Sequence, residues 1–491
     1  MTATEASYVA LIADRAPSQL ARLTDRTMVA TSVMLLATTA VLAALRPTLT
    51  APDIAIVSML ATLCAAVGYV GWLRRAARAQ RRGLALIPVR PAIEMALYLS
   101  PVILLTLAFP FATQRIADTH VGGAPLVSLL LASSVTVPWL SQPVCLPLYR
   151  AIGPLIPDGN IDVIQRRFLQ VWPTTFLQSL PAVAVFAVPV QLVMGWSWQA
   201  FGAFLGLCVL HVAFVQSLIA ANVDRRRLRW ALAWACYATA LIAIPAAWYL
   251  PPLVGLISQV VPMRRHLSQL RRTILLDKVD VAADLVRGLL LGAVLWADKL
   301  LLFLKSDGVF QVDAIFLALL PAVIAYNYYF IRLAPHIDRA VGDVRTAVEM
   351  EPTGLTARRS TVVSNVVGTS INRTAFLGAL ATLFVTVVAG ARHPDVLGLV
   401  GVVSIASFLF MMTTLACYKL DYIGYKGQAQ LFSAIHLLFC VGLFILLPVG
   451  VTLYVWLAAA EAVLFAVALY ACLREWRTAE YALFWRHATA W

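Results

Sequence analysis

The sequence predicts an all-α polytopic membrane protein with about 14 transmembrane helices, and three observations carry that prediction. Hydrophobic residues make up 61% of the 491 and charged residues only 13%, about half the charged share of a soluble domain. Mean hydropathy is +0.83. Fourteen apolar segments follow one another, most of them near the roughly 20 residues that carry a helix across about 30 Å of hydrocarbon. The positive residues between them fall on alternate sides. No barrel-type alternation appears, so helices are the element that satisfies the backbone within the bilayer.

The expected spans are 27–45, 53–73, 92–112, 124–146, 171–194, 198–221, 229–247, 249–263, 282–304, 312–333, 374–391, 395–417, 430–448 and 450–473. The N-terminus lacks the charged stub, short apolar core and small-residue cleavage site of a secretory signal, so 27–45 is expected to be retained as a span. The segment 249–263 is the shortest and carries Pro251, Pro252 and Pro262. Its flanks support it. With both termini in the cytoplasm, 33 of the 38 Lys and Arg residues fall inside; Arg46, Arg115, Lys305 and Arg392 fall outside, and Lys299 lies within a span. Removing one helix before residue 264 would scramble that alternation. The expected location is therefore the cytoplasmic (inner) membrane, multi-pass.

The net charge of +14 follows from orientation and from contact with anionic lipids. A nucleic-acid partner is not expected, since RRAARAQRR (74–82) and DRRRLRW (224–230) both abut spans. The seven cysteines lie in or beside apolar runs and form no CxxC pair, so neither a disulfide framework nor a metal site is expected.

Loop lengths divide the chain into 1–91, an extra transmembrane pair with a basic loop; 92–281, a six-helix N-lobe; and 282–491, a six-helix C-lobe. A 6+6 arrangement suggests a two-lobed transporter with a central cavity. The halves match in hydropathy rhythm, not in residue identity. In the cytoplasmic loop 334–373, Ile337, Val341, Val344 and Val348 recur at helical spacing. This predicts an amphipathic helix at the membrane surface, broken at Pro352-Thr353-Gly354. It is either a solvated connector or a docking surface for a cytosolic partner.

Polar groups within spans are the candidate functional residues, because a charge at a helix centre costs about 2.5–3.5 kcal/mol to insert. Asp298 and Lys299 stand inside the ninth span. Successive positions are about 100° apart, so the two are expected to pair with other helices or line a wet cavity rather than to neutralise each other. Glu461 lies near the middle of the last span, either as a hydrogen-bonded carboxyl or as a proton-coupling group. His211 and His436 are single intramembrane imidazoles, the usual satisfied helix contacts. Tyr326 and Asn327 join an aromatic to an amide, a combination that suits a sugar path. Tyr328, Tyr329 and Arg332 read as interface anchors. Prolines within spans, among them Pro138, Pro143, Pro181 and Pro189, suit a protein that changes shape.

GxxxxGK[ST], HExxH and GxSxG are all missing from the sequence, so the chain is not expected to be an enzyme or to bind a cofactor. Three stretches of the second half do carry a resemblance: WADKLLLF (296–303), LALLPAVIAYNYYFIRLAPHID (317–338) and CYKLDYIGYKGQAQLFSAIHLLF (417–439). In order and spacing they resemble the PelG group of the multidrug/oligosaccharidyl-lipid/polysaccharide (MOP) exporter superfamily. The motifs lie within 282–450, and the first lobe matches in layout. Two features depart from the family: Leu333, Ala334, Pro335 and His336 stand where an acidic pair usually follows the arginine, and the leading pair of spans is an addition.

The resemblance implies a MOP/MATE-like fold and a permease that carries an exopolysaccharide from a cytosolic glycosyltransferase, with other membrane synthase subunits as partners. It carries over Trp296, Asp298, Lys299 and Arg332 as transport candidates. A flippase for lipid-linked sugar, a cation-coupled drug antiporter using Glu461 or Asp298, and a membrane scaffold that anchors a synthase remain as alternatives.

Overall fold

The computed structural model describes residues 97–488 apart from 98, 102–103, 106–107, 110–111, 157–158, 224–226, 309, 311, 351–352 and 393–396. The expected spans 27–45 and 53–73, the basic loop after them, and Cys64 lie outside the described residues. The described residues are mostly helical, with a hairpin of two short strands, β1 (His120–Val121) and β2 (Ala124–Pro125). Eight of the described helical stretches are long and apolar enough to cross a membrane. The chain is a multi-pass membrane protein.

Six helices form a first set: α1, whose described helical residues lie within 97–115, α2 (Leu126–Ile152), α3 (Ile161–Met194), α4 (Trp198–Val223), α5 (Arg227–Ala243) and α6 (Leu250–Val260). The second set begins with α7 (Lys278–Lys305) and α8 (Val312–Tyr328). It continues through the amphipathic α9 (Ala334–Met350) to α10 (Thr353–Arg392), α11 (Leu397–Tyr422), α12 (Lys426–Leu446) and α13 (Val451–Trp476). A short α14 (Ala479–Ala488) follows.

Local chemistry fixes the ends of these helices. Asn160 caps α3 by accepting from the Val163 amide at 3.2 Å, and Gly195 ends it at φ +57°, a left-handed turn that suits glycine. Asp277 caps α7 by accepting from the amides of Val279 (2.7 Å) and Asp280 (3.2 Å).

The two sets share one packing plan. In the first, α2 packs on α3 and α4, α3 on α4, α4 on α5 and α6, and α5 on α6. In the second, α8 packs on α10 and α11, α10 on α11, α11 on α12 and α13, and α12 on α13. A cation from the first helix caps the fifth helix in each: Arg115 donates to the Ile242 carbonyl at 2.8 Å, and Lys305 donates to the carbonyls of Phe444 and of Leu447, the latter at 2.5 Å. The repeat that residue identity hides is therefore written in contacts.

Between the sets runs an antiparallel seam of α2 against α7. Gly288 and Gly292 permit it. A Cβ at Gly288 would overlap the backbone of Pro143, and one at Gly292 would come within 2.7 Å of the Trp139 ring. The Trp139 indole also donates to the Leu289 carbonyl at 2.7 Å. One apolar core, including Leu126 and Phe204 of the first set and Phe303 and Phe410 of the second, is continuous toward the end where α2 begins. Toward the arginine-rich end the cores are separate, around Phe168 and Met263 in one set and Tyr329 and Trp476 in the other.

Two expectations change. The expected span 249–263 is an 11-residue helix followed by a 3₁₀ segment, Val261–Arg271; prolines at its start and the arginines at its end leave α6 a rise of only about 17 Å. The helix expected at the membrane surface exists and ends before Pro352, as expected. Its apolar residues Ile337, Val341 and Val344, however, are buried inside the protein beside Val363, Val367 and Ile371 of α10. That face covers its own bundle instead of lipid or a partner.

Candidate functional site

The second set encloses a buried ionic cluster built from α7, α11, α12 and α13. Asp298 and Lys299 are 0% and 1% exposed, and their charged ends meet at 2.9 Å. This overturns the expectation that adjacent positions would seek separate partners: the four-carbon lysine stem bridges the angular gap between them. The Lys299 ammonium also donates to Ser407 at 3.1 Å and lies 5.3 Å from the centre of the Phe410 ring.

Phe410 packs edge-on against His436 at 4.9 Å. His436 Nδ1 is 2.7 Å from Glu461 Oε2, and Cys440 Sγ is 3.2 Å from His436 Nε2. The second Glu461 oxygen is buried without a hydrogen-bond partner among the described residues. One lysine, one histidine and two carboxylates thus share an enclosure in which any change of protonation changes the net charge, and low local dielectric amplifies that change.

A second group lies where the sets meet. Tyr418 of α11 donates to the Gln142 amide oxygen of α2 at 2.9 Å. Phe330 meets the Tyr326 ring at a tilt, with centroids 4.6 Å apart, and the Tyr418 ring edge-on at 6.1 Å. Phe330 is 40% exposed. It belongs to a π-helical stretch, Tyr329–Leu333, that joins α8 to α9; π-bulges recur at functional sites. Arg332 is half-buried in the same stretch and forms no ion pair among the described residues. Trp296 is half-buried and packs against both the shared core and the core of the second set.

Not every sequence candidate joins these groups. The Asn327 amide nitrogen donates to the Val323 carbonyl of its own helix at 2.8 Å. His211 Nδ1 lies 2.8 Å from the Leu207 carbonyl and 3.4 Å from Ser133, and Nε2 lies 3.0 Å from the Tyr237 hydroxyl. It is the satisfied helix contact that the sequence suggests, tying α4 to α2 and α5.

At the arginine-rich end of the seam lies a network the sequence reading missed. Arg150 of α2 reaches Asp280 at 2.9 Å and Asp284 at 2.7 Å, and Arg287 pairs with Asp421 of α11. Desolvation raises no comparable issue for a surface pair, but here Asp284 is only 3% exposed and depends on its cations. The signal that could have found this seam is the small-residue pair GLLLG (288–292), flanked by charges a few residues before it.

No family model matches the chain, and no curated protein matches it by sequence. Among solved structures, an outward-facing multidrug resistance MATE family transporter of the MOP superfamily aligns over 80% of this chain and 95% of its own, at 12% identity and a TM-score of 0.39. An inward-facing multidrug resistance MATE family transporter aligns over 78% and 95%, with the same identity and score. A MATE protein in complex with Br-NRF aligns over 80% and 96%, at 13% identity and a TM-score of 0.35.

Proposed function

We propose that the chain is a membrane permease that exports a polysaccharide, delivered by a cytosolic glycosyltransferase, through the cleft between its two six-helix sets. The observation that carries this reading is the group where the two sets meet: Tyr326, Phe330 and Tyr418 bring rings together, and Gln142 of the other set accepts from Tyr418. Aromatic rings beside amide and hydroxyl groups hold sugars by stacking and hydrogen bonding without gripping any one residue of a moving polymer. The resemblance of 296–303, 317–338 and 417–439 to the PelG group points the same way. In this reading the arginine-rich end faces the cytoplasm, where the two cores are separate, and the continuous core closes the outer side.

The test compares secreted with cell-associated polysaccharide in a strain lacking the gene. Secreted polymer should disappear and return with wild type, but not with Tyr326→Ala/Phe330→Ala at equal protein level. Unchanged polymer in the deletion strain would overturn the reading and put small-molecule antiport first, with drug accumulation as the next assay.

One observation favours a cation-coupled cycle within this reading. The Asp298–Lys299 and His436–Glu461 pairs are enclosed in one set only, so protonation there would bias one lobe against the other.

A further inference from the structure

We propose that the junction of α8, α9 and α10 holds the phosphate of an anionic phospholipid on Arg332, His336, Arg339 and Arg373, with an acyl chain along α10. Three observations meet there. First, the four side chains converge. Arg332, His336 and Arg339 follow at i, i+4 and i+7 where the π-helical stretch runs on into α9, so they form one ridge. α10 returns alongside α8 and α9 in a register set by a close approach: a Cβ at Gly378 would lie 3.3 Å from the Ala325 methyl. From Ala325 to Arg332 the chain rises about 10 Å, and from Gly378 back to Arg373 about 8 Å toward the same end. The two arginines are therefore nearly level, and the charges of Arg332, Arg339 and Arg373 all act on the His336 ring.

Second, neither Arg332 nor Arg339 forms an ion pair among the described residues. Asp338, the acid within their stretch, instead accepts from the Tyr422 hydroxyl at 3.0 Å. His336 uses Nδ1 on the Arg332 carbonyl at 2.7 Å, and Arg339 uses Nε on the Pro335 carbonyl at 3.2 Å. The imidazole Nε2 and the terminal guanidinium nitrogens remain for a ligand. Third, α10 presents an unbroken outward stripe whose character changes at this level. Asn365, Thr369, Asn372, Phe376, Ala379 and Leu383 are all exposed; the first three are polar and the last three apolar. The change falls between Asn372 and Phe376, beside Arg373, where the helix passes from the aqueous boundary into hydrocarbon. The apolar part runs about 10 Å, a surface for an acyl chain, and the planar guanidinium groups at its polar end suit a phosphate. Basic pockets between helices at a membrane boundary take lipid headgroups. A soluble phosphate has no use for the apolar stripe, which is why a lipid is the occupant assigned. This inference does not depend on what the protein transports.

The experiment uses the purified full chain in nanodiscs of phosphatidylcholine with or without phosphatidylglycerol, reading bound lipid by native mass spectrometry. Two basic side chains near a surface, each giving about fivefold, predict about 25-fold weaker phosphatidylglycerol binding in Arg332→Gln/Arg339→Gln. Arg264→Gln/Arg265→Gln removes equal charge from exposed positions in the 3₁₀ segment after α6 and should bind as wild type does. Equal losses in both pairs would mean a diffuse basic surface and overturn the site. Undiminished binding in the first pair would also overturn it and leave these cations to an acidic protein surface. Displacement of phosphatidylglycerol by inorganic phosphate at millimolar concentration would assign the cations to a soluble phosphate and overturn the lipid. Should the first pair fail to fold, a photoactivatable phosphatidylglycerol on wild-type protein decides: labelling within 332–339 or 372–383 supports the site, and labelling confined elsewhere rejects it.

Discussion

Replacing Asp298 with Asn should damage folding before it says anything about transport. Lys299 is 1% exposed, with Asp298 as its ionic partner at 2.9 Å and Ser407 and the Phe410 ring as its other contacts. Removing the carboxylate leaves an ammonium inside the bundle with one hydroxyl and one ring face to compensate it. Breaking a buried pair in this way costs about 3–5 kcal/mol, a shift of about 150-fold or more in the folded fraction. Loss of export in the single variant would therefore be ambiguous.

The double variant Asp298→Leu/Lys299→Met resolves that ambiguity, because replacing both charges with apolar groups of similar volume is commonly neutral or stabilising. The assay is thermal unfolding in one detergent, paired with secreted polymer from the same strains. We expect the single variant to unfold well below wild type and the double to recover. If export returns with stability, the pair is a lock. If the double folds and export stays absent, the pair takes part in the cycle. An Asp298→Asn protein that unfolds at the wild-type midpoint would refute the reasoning, since mutual neutralisation would then not be what holds these charges.

The close seam predicts that Gly288→Ala sharply lowers folded protein, because the added methyl overlaps the Pro143 backbone; overpacking costs about 1–3 kcal/mol and more against backbone. Gly442→Ala, with open space around it, should be neutral or gain up to about 1 kcal/mol from helix propensity, and equal effects of the two would contradict the packing argument. Glu461→Gln should leave export insensitive to an imposed pH gradient if the His436 pair couples protons, while unchanged gradient dependence would make the pair structural. Val341→Asp buries a charge under α9 and should cost about 3–5 kcal/mol, whereas Arg345→Asp on the exposed face should cost little; thermal unfolding of the two variants checks the contrast.

Among the described residues the order of the helices was legible because it follows from a local rule: apolar length sets each span. The end of α9 at Met350, just before Pro352, was legible for the same reason. Partners were not. The hydropathy of 334–350 has the period of an amphipathic helix whatever covers its apolar side, and only the packing shows that α10 does so. The Asp298–Lys299 pair failed for a related reason. Angular position on a helix places Cβ atoms, while a lysine carries its charge several bonds away and can bring it back to a neighbour. Arg150 and Arg287 counted only toward orientation, yet three helices bring them together with Asp284 and Asp421 from positions up to 271 residues apart in the chain.

The two sets share a packing plan but not a chemistry, and the difference bears on how such a molecule would work. In the first set the buried polar contacts around His211 run to a carbonyl and two hydroxyls, Tyr237 and Ser133, and no carboxylate enters. In the second set four ionisable side chains sit together among α7, α11, α12 and α13. Both sets hang on the α2–α7 seam, where Gly288 and Gly292 bring backbone against backbone and ring and leave little room for sliding. A proton gained or lost in the second set cannot be matched in the first, so its effect on helix positions is one-sided. With the seam as a fixed line, one-sided strain in α11–α13 would be felt where Tyr418 meets Gln142 of the other set. That contact is the place to look for movement, and Tyr418→Phe, which removes the hydrogen bond and keeps the ring, is the variant that should loosen it without unfolding the lobe.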